Sequence, residues 1–186
     1  MANPVPRLDA LQFSHMGFFV RDIDRMARFY GDTLGFHVTD RGLLGAAQLV
    51  FFSRHPGEHH QVVLISGRPT EPHFNPINQI SMRVADLATL RLLRDRVAAE
   101  PDVSELLAAT HGNAISIYFR DPEGNRLELF LDTPWYCEQP LREPIDLDRP
   151  DEEVMAQAEA LARSRPRFRS RAQWRAEMEL LMGGAA

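Results

Sequence analysis

Apolar and polar residues follow two different periods along most of this chain, and the order of those periods occurs twice. From Phe13, FSHMGFFV reads as a short strand; Asp22 follows, and then Ile23, Met26, Phe29, Tyr30 and Leu34 fall at helical spacing up to Gly35. From Asn78, NQISMRV reads as a second short strand. Asp86 follows it, with Leu87, Leu90, Leu93 and Val97 at the same helical spacing and Pro101 beyond the end. Superposing the two segments sets Gln79 on His15, Val84 on Val20 and Asp86 on Asp22. Each aspartate can accept a hydrogen bond from an otherwise unpaired N–H in the first helical turn. Gly35 is suited to the left-handed residue that closes a helix.

Strand patterns follow each helix. They fall near 37–40, 46–52 and 60–66 in the first copy, and near 103–108, 113–119 and 126–131 in the second. DPEGN, from Asp121 to Asn125, has the residues of a tight turn and joins the last two strands. Aligning the closing strands QVVLI and ELFLD sets Gln61 on Glu128. The chain is therefore predicted to be α+β, with two βαβββ modules in tandem. Module one spans about 11–67 and module two about 76–132, within a domain of residues 1–132. Residues 133–186 form a C-terminal appendage: a proline-rich extended arm, then helices near 151–164 and 170–182. Ser170 and Gln173 stand at capping-box spacing, and Trp174, Met178 and Leu181 share one face of the last helix. Such an arm needs a surface to bury against, on its own domain or on a partner subunit, and a homodimer is expected.

Composition narrows the chemistry. With 44% hydrophobic and 25% charged residues, the chain is typical of a globular protein. A formal net charge of −5 disfavours a general binder of nucleic acid or acidic membranes. No apolar run approaches the ~20 residues that span a bilayer. The opening MANPVPRLDA lacks the charged-then-apolar order of a secretion signal, so a cytoplasmic location is expected. One cysteine, Cys137, excludes a disulfide framework and a cysteine-rich metal site. All 21 basic side chains are arginine, which removes Schiff-base chemistry and a lysine-dependent phosphate loop. The run RSRPRFRSR, from Arg163, reads as a solvated joint between helices in a chain of this charge balance.

The doubled βαβββ pattern resembles the vicinal oxygen chelate superfamily, which includes glyoxalase I, bleomycin-resistance proteins, fosfomycin-resistance enzymes and extradiol dioxygenases. HGNAISIYFRDPEGNRLELFLDTPW, from His111, and EHHQVVL, from Glu58, resemble one-domain relatives of the extradiol dioxygenases in particular. The resemblance implies a mixed sheet curled around a cleft that holds a divalent metal. It makes His15 the first metal ligand and Glu128 the last. His60 matches a histidine that handles a proton near bound oxygen. Tyr118 matches a tyrosine that bonds the substrate oxygen, and His111 lies near a further histidine of that family. The second histidine ligand of the dioxygenases is replaced here by Gln79.

That replacement changes the donor and not the charge. An amide oxygen is harder than an imidazole nitrogen, which shifts preference from Fe(II) toward Mn(II), Mg(II) or Ca(II). The resemblance implies a divalent-metal enzyme, Fe(II) first with Mn(II) or another divalent ion as the alternative, that cleaves a small catechol-like substrate with dioxygen. Its metal ligands would be His15, Gln79 and Glu128, with His60, Tyr118 and His111 as catalytic residues. Two alternatives stay open: a non-oxidative metal enzyme of the same fold, such as a glyoxalase-like isomerase or lyase, and a non-catalytic protein that binds a flat ligand. Glyoxalase I also places a carboxylate where this chain has Gln61, which counts against isomerase chemistry.

Overall fold

The computed structural model describes residues 13–70, 75 and 77–183. The opening MANPVPRLDA, read above for a secretion signal, lies outside the described residues. Module one runs β1 (Met16–Val20), α1 (Ile23–Arg28), β2 (His37–Leu44), β3 (Ala47–Ser53) and β4 (Val62–Ser66). Module two runs β5 (Ile80–Arg83), α2 (Leu87–Ala98), β6 (Ser104–Thr110), β7 (Ala114–Arg120) and β8 (Arg126–Asp132). The appendage adds β9 (Trp135–Tyr136), β10 (Glu143–Pro144), α3 (Asp151–Arg163), β11 (Arg169–Ser170) and α4 (Arg171–Gly183). The α+β class and the tandem βαβββ modules stand as the sequence predicts.

The repeat is also a repeat of topology. The first sheet has the order β1-β4-β3-β2 and the second has β5-β8-β7-β6, with β10 added beyond β6. In the first sheet β1 lies parallel to β4, with Met16 opposite Val62. The β3 strand is antiparallel to both β4 and β2. The described residues form two compact units, 14–107 with 117–129, and 108–116 with 130–183 and Phe13.

The first unit carries both modular helices. Asp22 accepts the Arg25 N–H at 2.9 Å and starts α1. The helix buries Ile23, Met26 and Ala27. It continues into a wider π-helical turn, Phe29–Thr33, which buries Phe29 and Tyr30. Gly35, at φ +73°, ends it. Asp86 accepts the Thr89 N–H at 2.8 Å and starts α2, which buries Leu87, Leu90, Leu93 and Val97. Phe52 and Leu64 complete the core against α1, and Phe119 meets Phe29 edge-on at 6.4 Å.

The DPEGN turn does more than reverse the chain. Asp121 accepts the N–H groups of Glu123 and Asn125, each at 2.9 Å, and Gly124 takes φ +81°. The buried Glu123 carboxylate then accepts the N–H groups of Arg21 at 2.6 Å and Asp22 at 2.8 Å. Arg68 closes on the same carboxylate at 3.5 Å. The turn before β8 thus caps the start of α1.

In the second unit Cys137, Leu141 and Ala162 form a small core, with Trp135, Leu161 and Phe168 packed on it. The predicted capping box is present: Ser170 N–H donates to Gln173 Oε1 at 3.0 Å, and Gln173 N–H donates to Ser170 Oγ at 3.1 Å. Trp174 stacks on Tyr136 at 5.3 Å. The arginine run is spent on local partners. Arg163 pairs with Glu159, Arg169 with Glu177, and Arg171 with Asp132. Among the described residues, no helix is long and apolar enough to cross a membrane.

Several strand boundaries differ from the sequence reading: β1 begins at Met16 and β5 at Ile80, so His15 and Gln79 lie just before the strands expected to carry them. The second strand extends to Leu44, past Arg41-Gly42, because the reversal is made by Gly45 at φ +62°. The fourth strand begins at Val62, not at His60, so His60 and Gln61 lie in the loop that enters it.

Candidate metal centre

Glu128 lies on β8 between Leu127 and Leu129 and is only 8% exposed. A carboxylate in such a place is costly unless several donors hold it. Three do. Tyr118, on the neighbouring β7, donates its hydroxyl to Oε1 at 2.6 Å. Ser81, on β5, donates its hydroxyl to Oε2 at 2.6 Å. Gln79, just before β5, donates its amide Nε2–H to the same Oε2 at 2.8 Å. The amide also reaches Ser81 Oγ at 3.0 Å. Gln79 and Ser81 are two positions apart, so an extended backbone turns both to one face. The sheet order sets β8 between β7 and β5, and this brings all four side chains together.

The second group forms at the entrance to β1 and β4. His15 and His60 pack with ring centroids 4.2 Å apart. The parallel pairing of β1 with β4 brings them side by side, since Met16 N–H donates to the Gln61 carbonyl at 3.1 Å. His15 is exposed, and its Nδ1 meets Ser14 Oγ at 3.2 Å. His60 is half-buried, with Phe51 edge-on at 5.2 Å and a hydrogen bond of 2.8 Å to His59. Loss of water around the ring, then the neighbouring His15 and His59, lower its pKa from the usual histidine value. His60 is therefore held toward its neutral form.

Gln61 faces neither group. Its Oε1 accepts the Arg54 N–H at 2.9 Å, so the position at which glyoxalase I has a carboxylate is spent on a loop. His111 belongs to the other unit, where its ring bonds the Leu141 carbonyl oxygen and its own N–H donates to Ala114 at 2.9 Å. Cys137 is buried, and burial raises its thiol pKa, the opposite of an activated nucleophile.

The donors are of kinds that bind a divalent cation, but they are not gathered for one among the described residues, where the Gln79 amide turns its nitrogen toward Glu128. Glu128 offers a carboxylate whose orientation is fixed by Tyr118, Ser81 and Gln79. Gln79 offers an amide oxygen, because only its nitrogen end is bonded among the described residues. His15 offers Nε2, because Ser14 meets the other ring nitrogen. One imidazole, one amide oxygen and one carboxylate suit Mn(II) or Fe(II). Among the described residues the two groups stand as separate bonded sets, and no three of His, Cys, Asp and Glu gather at metal-binding distance. Sequence reasoning missed Ser81 and His59. The signal for Ser81 was its spacing of two from a candidate ligand on a strand; His59 carried no signal beyond lying beside His60.

Comparison with known proteins supports the same reading of the fold. The profile of the Glyoxalase/Bleomycin resistance protein/Dioxygenase superfamily matches residues 12–129. The uncharacterized protein YwbC of Bacillus subtilis (strain 168) is 27% identical over 124 residues, covering 65% of this chain and 98% of YwbC. Among solved structures, a glyoxylase/bleomycin resistance protein/dioxygenase domain from Frankia sp. EAN1pec superposes with a TM-score of 0.57 at 22% identity. The match covers 66% of this chain and 98% of that one. The fosfomycin resistance protein FosX from Listeria monocytogenes, complexed with Mn(II) and sulfate, superposes with a TM-score of 0.51 at 17% identity, over 66% of this chain and 93% of FosX.

Proposed function

Because the chain belongs to the glyoxalase/bleomycin resistance protein/dioxygenase superfamily, we propose that it is a divalent-metal enzyme of extradiol type, acting on a small catechol-like substrate with dioxygen. The observation that carries this reading is the Glu128 carboxylate, buried on a core strand and held by Tyr118, Gln79 and Ser81. His15, Gln79 and Glu128 would hold the ion. When bound, the ion supplies Lewis acidity to two neighbouring substrate oxygens, and in the Fe(II) form also the redox chemistry of dioxygen.

The chain's own residues handle protons and position. His60, whose pKa its surroundings lower, takes a proton from a substrate hydroxyl and later returns it. Phe51 packs edge-on against that ring. Tyr118 holds its proton against Glu128 Oε1 and keeps the carboxylate turned in one direction. We further propose that the enzyme works in the cytoplasm as a homodimer, with Leu180 and Leu181, 77% and 72% exposed, covered by the second copy.

Oxygen uptake with a panel of catechols, after iron loading under reducing conditions, tests the reading. Uptake that depends on His60 and Glu128 is expected. No uptake with any diol, in protein fully loaded with another metal, would overturn it. Gln79→His should raise Fe(II) affinity, since imidazole suits that ion better than an amide oxygen.

One observation favours a second reading, a non-oxidative metal enzyme such as an isomerase, lyase or hydrolase. Two of the three ligands are oxygen donors, the FosX structure carries Mn(II), and such an enzyme turns over without oxygen. The engagement of Gln61 by Arg54 weighs against the four-ligand plan of glyoxalase I within this reading.

A further inference from the structure

The two strands that carry Tyr118 and Glu128 carry a second pair of polar side chains, one step nearer the turn that joins them. Asp121 N–H donates to the Asn125 carbonyl at 2.9 Å, which sets Arg120 opposite Arg126 and Tyr118 opposite Glu128. Alternation along each strand puts all four on one face. The other face, with Phe119 and Leu127, belongs to the core, where Phe119 meets Phe29. Two residues along a strand span about 7 Å, so the arginine pair stands about that far from the Tyr118–Glu128 pair.

Like charges directly opposite each other on neighbouring strands repel, and an anion between them relieves the repulsion. Here the anion is Glu105, on β6. Its carboxylate meets Arg120 Nε at 2.7 Å and Arg126 at 3.5 Å. Glu105 sits at φ +54°, in the left-handed region that side chains disfavour, and backbone strain of this kind collects at functional sites. Its bond to Arg120 lowers its pKa from the usual carboxyl value, so it stands there as an anion. One carboxylate between two guanidiniums leaves a net positive charge. It also leaves donors. Arg120 uses Nε on Glu105 and one terminal nitrogen on the Gly124 carbonyl at 2.9 Å, and Arg126 reaches only Glu105 among the described residues. Arg120 and Arg126 are 34% and 33% exposed and Glu105 is 52% exposed, so a carboxylate from solution can reach the arginines.

We propose that Arg120 and Arg126 form a subsite for a carboxylate on the substrate, and that Glu105 fills this subsite until the substrate displaces it. This assignment rests on the reading in which a catechol-like ring lies beside Tyr118 and Glu128. A carboxylate across a benzene ring from a hydroxyl lies at a distance similar to the step between the two side-chain pairs, so one flat molecule reaches both. Each guanidinium offers a planar fork that matches a carboxylate. The substrate class narrows from any small catechol to an aromatic acid that carries the diol.

The test is anaerobic calorimetric titration of the protein, supplied with Fe(II) and cleared of free ion, with two probes: catechol, and catechol carrying a carboxylate para to one hydroxyl. The ratio of the two affinities is read within each variant, so a general loss of stability cancels. The carboxylated probe is expected to bind at least about threefold tighter, the gain of a partly exposed ion pair. Arg120→Gln and Arg126→Gln together should bring the ratio to about one. Glu105→Gln should raise the ratio about twofold or more, because the internal competitor is gone. A glutamate that merely held the arginines in place would lower it on removal. A ratio below about threefold in the unsubstituted protein, with catechol still bound, would overturn the proposal and leave the substrate reading intact. A ratio that survives loss of both arginines, or fails to rise in Glu105→Gln, would also overturn it. If neither probe binds, the substrate reading itself fails and the proposal falls with it.

Discussion

Tyr118→Phe removes a single oxygen atom from the middle of the candidate site and leaves the ring in place. That oxygen donates to Glu128 Oε1 at 2.6 Å, and the two residues are 6% and 8% exposed. A hydrogen bond to a charged group contributes about 1.5–3 kcal/mol net. Here both partners are shielded from water, which places the expected loss in the upper part of that range, about 2–3 kcal/mol. For a chain of this length each kcal/mol lowers Tm by about 2–4 °C, so a fall of roughly 4–12 °C is expected. Urea unfolding measures the free energy directly, and the slope should not change because the buried area is the same. The cycle with Glu128→Gln adds a control. In that neutral background Tyr118→Phe should cost about 1 kcal/mol less, because the bond is no longer charge-assisted. A loss below about 0.5 kcal/mol in the otherwise unsubstituted protein would refute the reasoning. It would mean that the hydroxyl does not hold an ionised carboxylate.

Three further outcomes are expected from other parts of the chain. Tyr30 is fully buried, and its hydroxyl has no hydrogen-bond partner among the described residues; Tyr30→Phe should therefore stabilise the protein by about 1 kcal/mol in urea unfolding, and a loss of stability would show a bond to that hydroxyl. Gly112 takes φ +72°, and a Cβ there would stand 2.8 Å from Cys137 Sγ and 3.1 Å from Ala162; Gly112→Ala should cost more than the ~1–2 kcal/mol of a left-handed backbone alone, whereas a cost near zero would mean that the turn relaxes freely. Burial raises the Asp121 pKa above its ordinary value, against the pull of its bonds to Asn125 and Glu123. A raised carboxyl pKa gives stability that is present below the unfolded value and lost as pH rises through the folded one. Unfolding of the protein and of Asp121→Asn, compared from about pH 3 to pH 7, should show the former losing ground as pH rises; a flat or opposite trend refutes the sign.

Much of the fold was legible because its signals are local. Asp22 and Asp86 each precede a helical stripe and each accept an N–H three residues on, so the two modules announce themselves in the pattern. The bond between Tyr118 and Glu128 was not legible: the sequence sets Tyr118 toward a substrate oxygen, and only the pairing of β7 with β8 brings its hydroxyl to the carboxylate. The length of β2 was not legible. The sequence reading ends it near residue 40, but the sheet carries the strand on to the left-handed Gly45. The sequence also placed His60 on a strand, where it would face away from Gln61; the structure puts both in a loop, and the alternation does not bind them. Ser81 was passed over because a serine on a strand is ordinary. Its part depends on which strand lies beside it, and that is a property of the sheet order. The sequence makes His111 a site residue by resemblance; in the structure its ring bonds the Leu141 carbonyl of the appendage, a partner thirty residues away that local pattern cannot reveal.

The Glu123 carboxylate has a consequence for how this chain can change over time. It belongs to the second copy of the repeat, yet the N–H groups that it caps, on Arg21 and Asp22, belong to the first. Duplicated chains can in principle be cut back into halves that assemble as separate subunits. Here a half that kept α1 would lose the carboxylate at its helix start, and the other half would carry a buried glutamate without its N–H donors or Arg68. Each fragment would be less stable than its share of the whole. One side chain in a five-residue turn thus adds to the contacts, such as Phe29 on Phe119, that keep the two modules from standing alone.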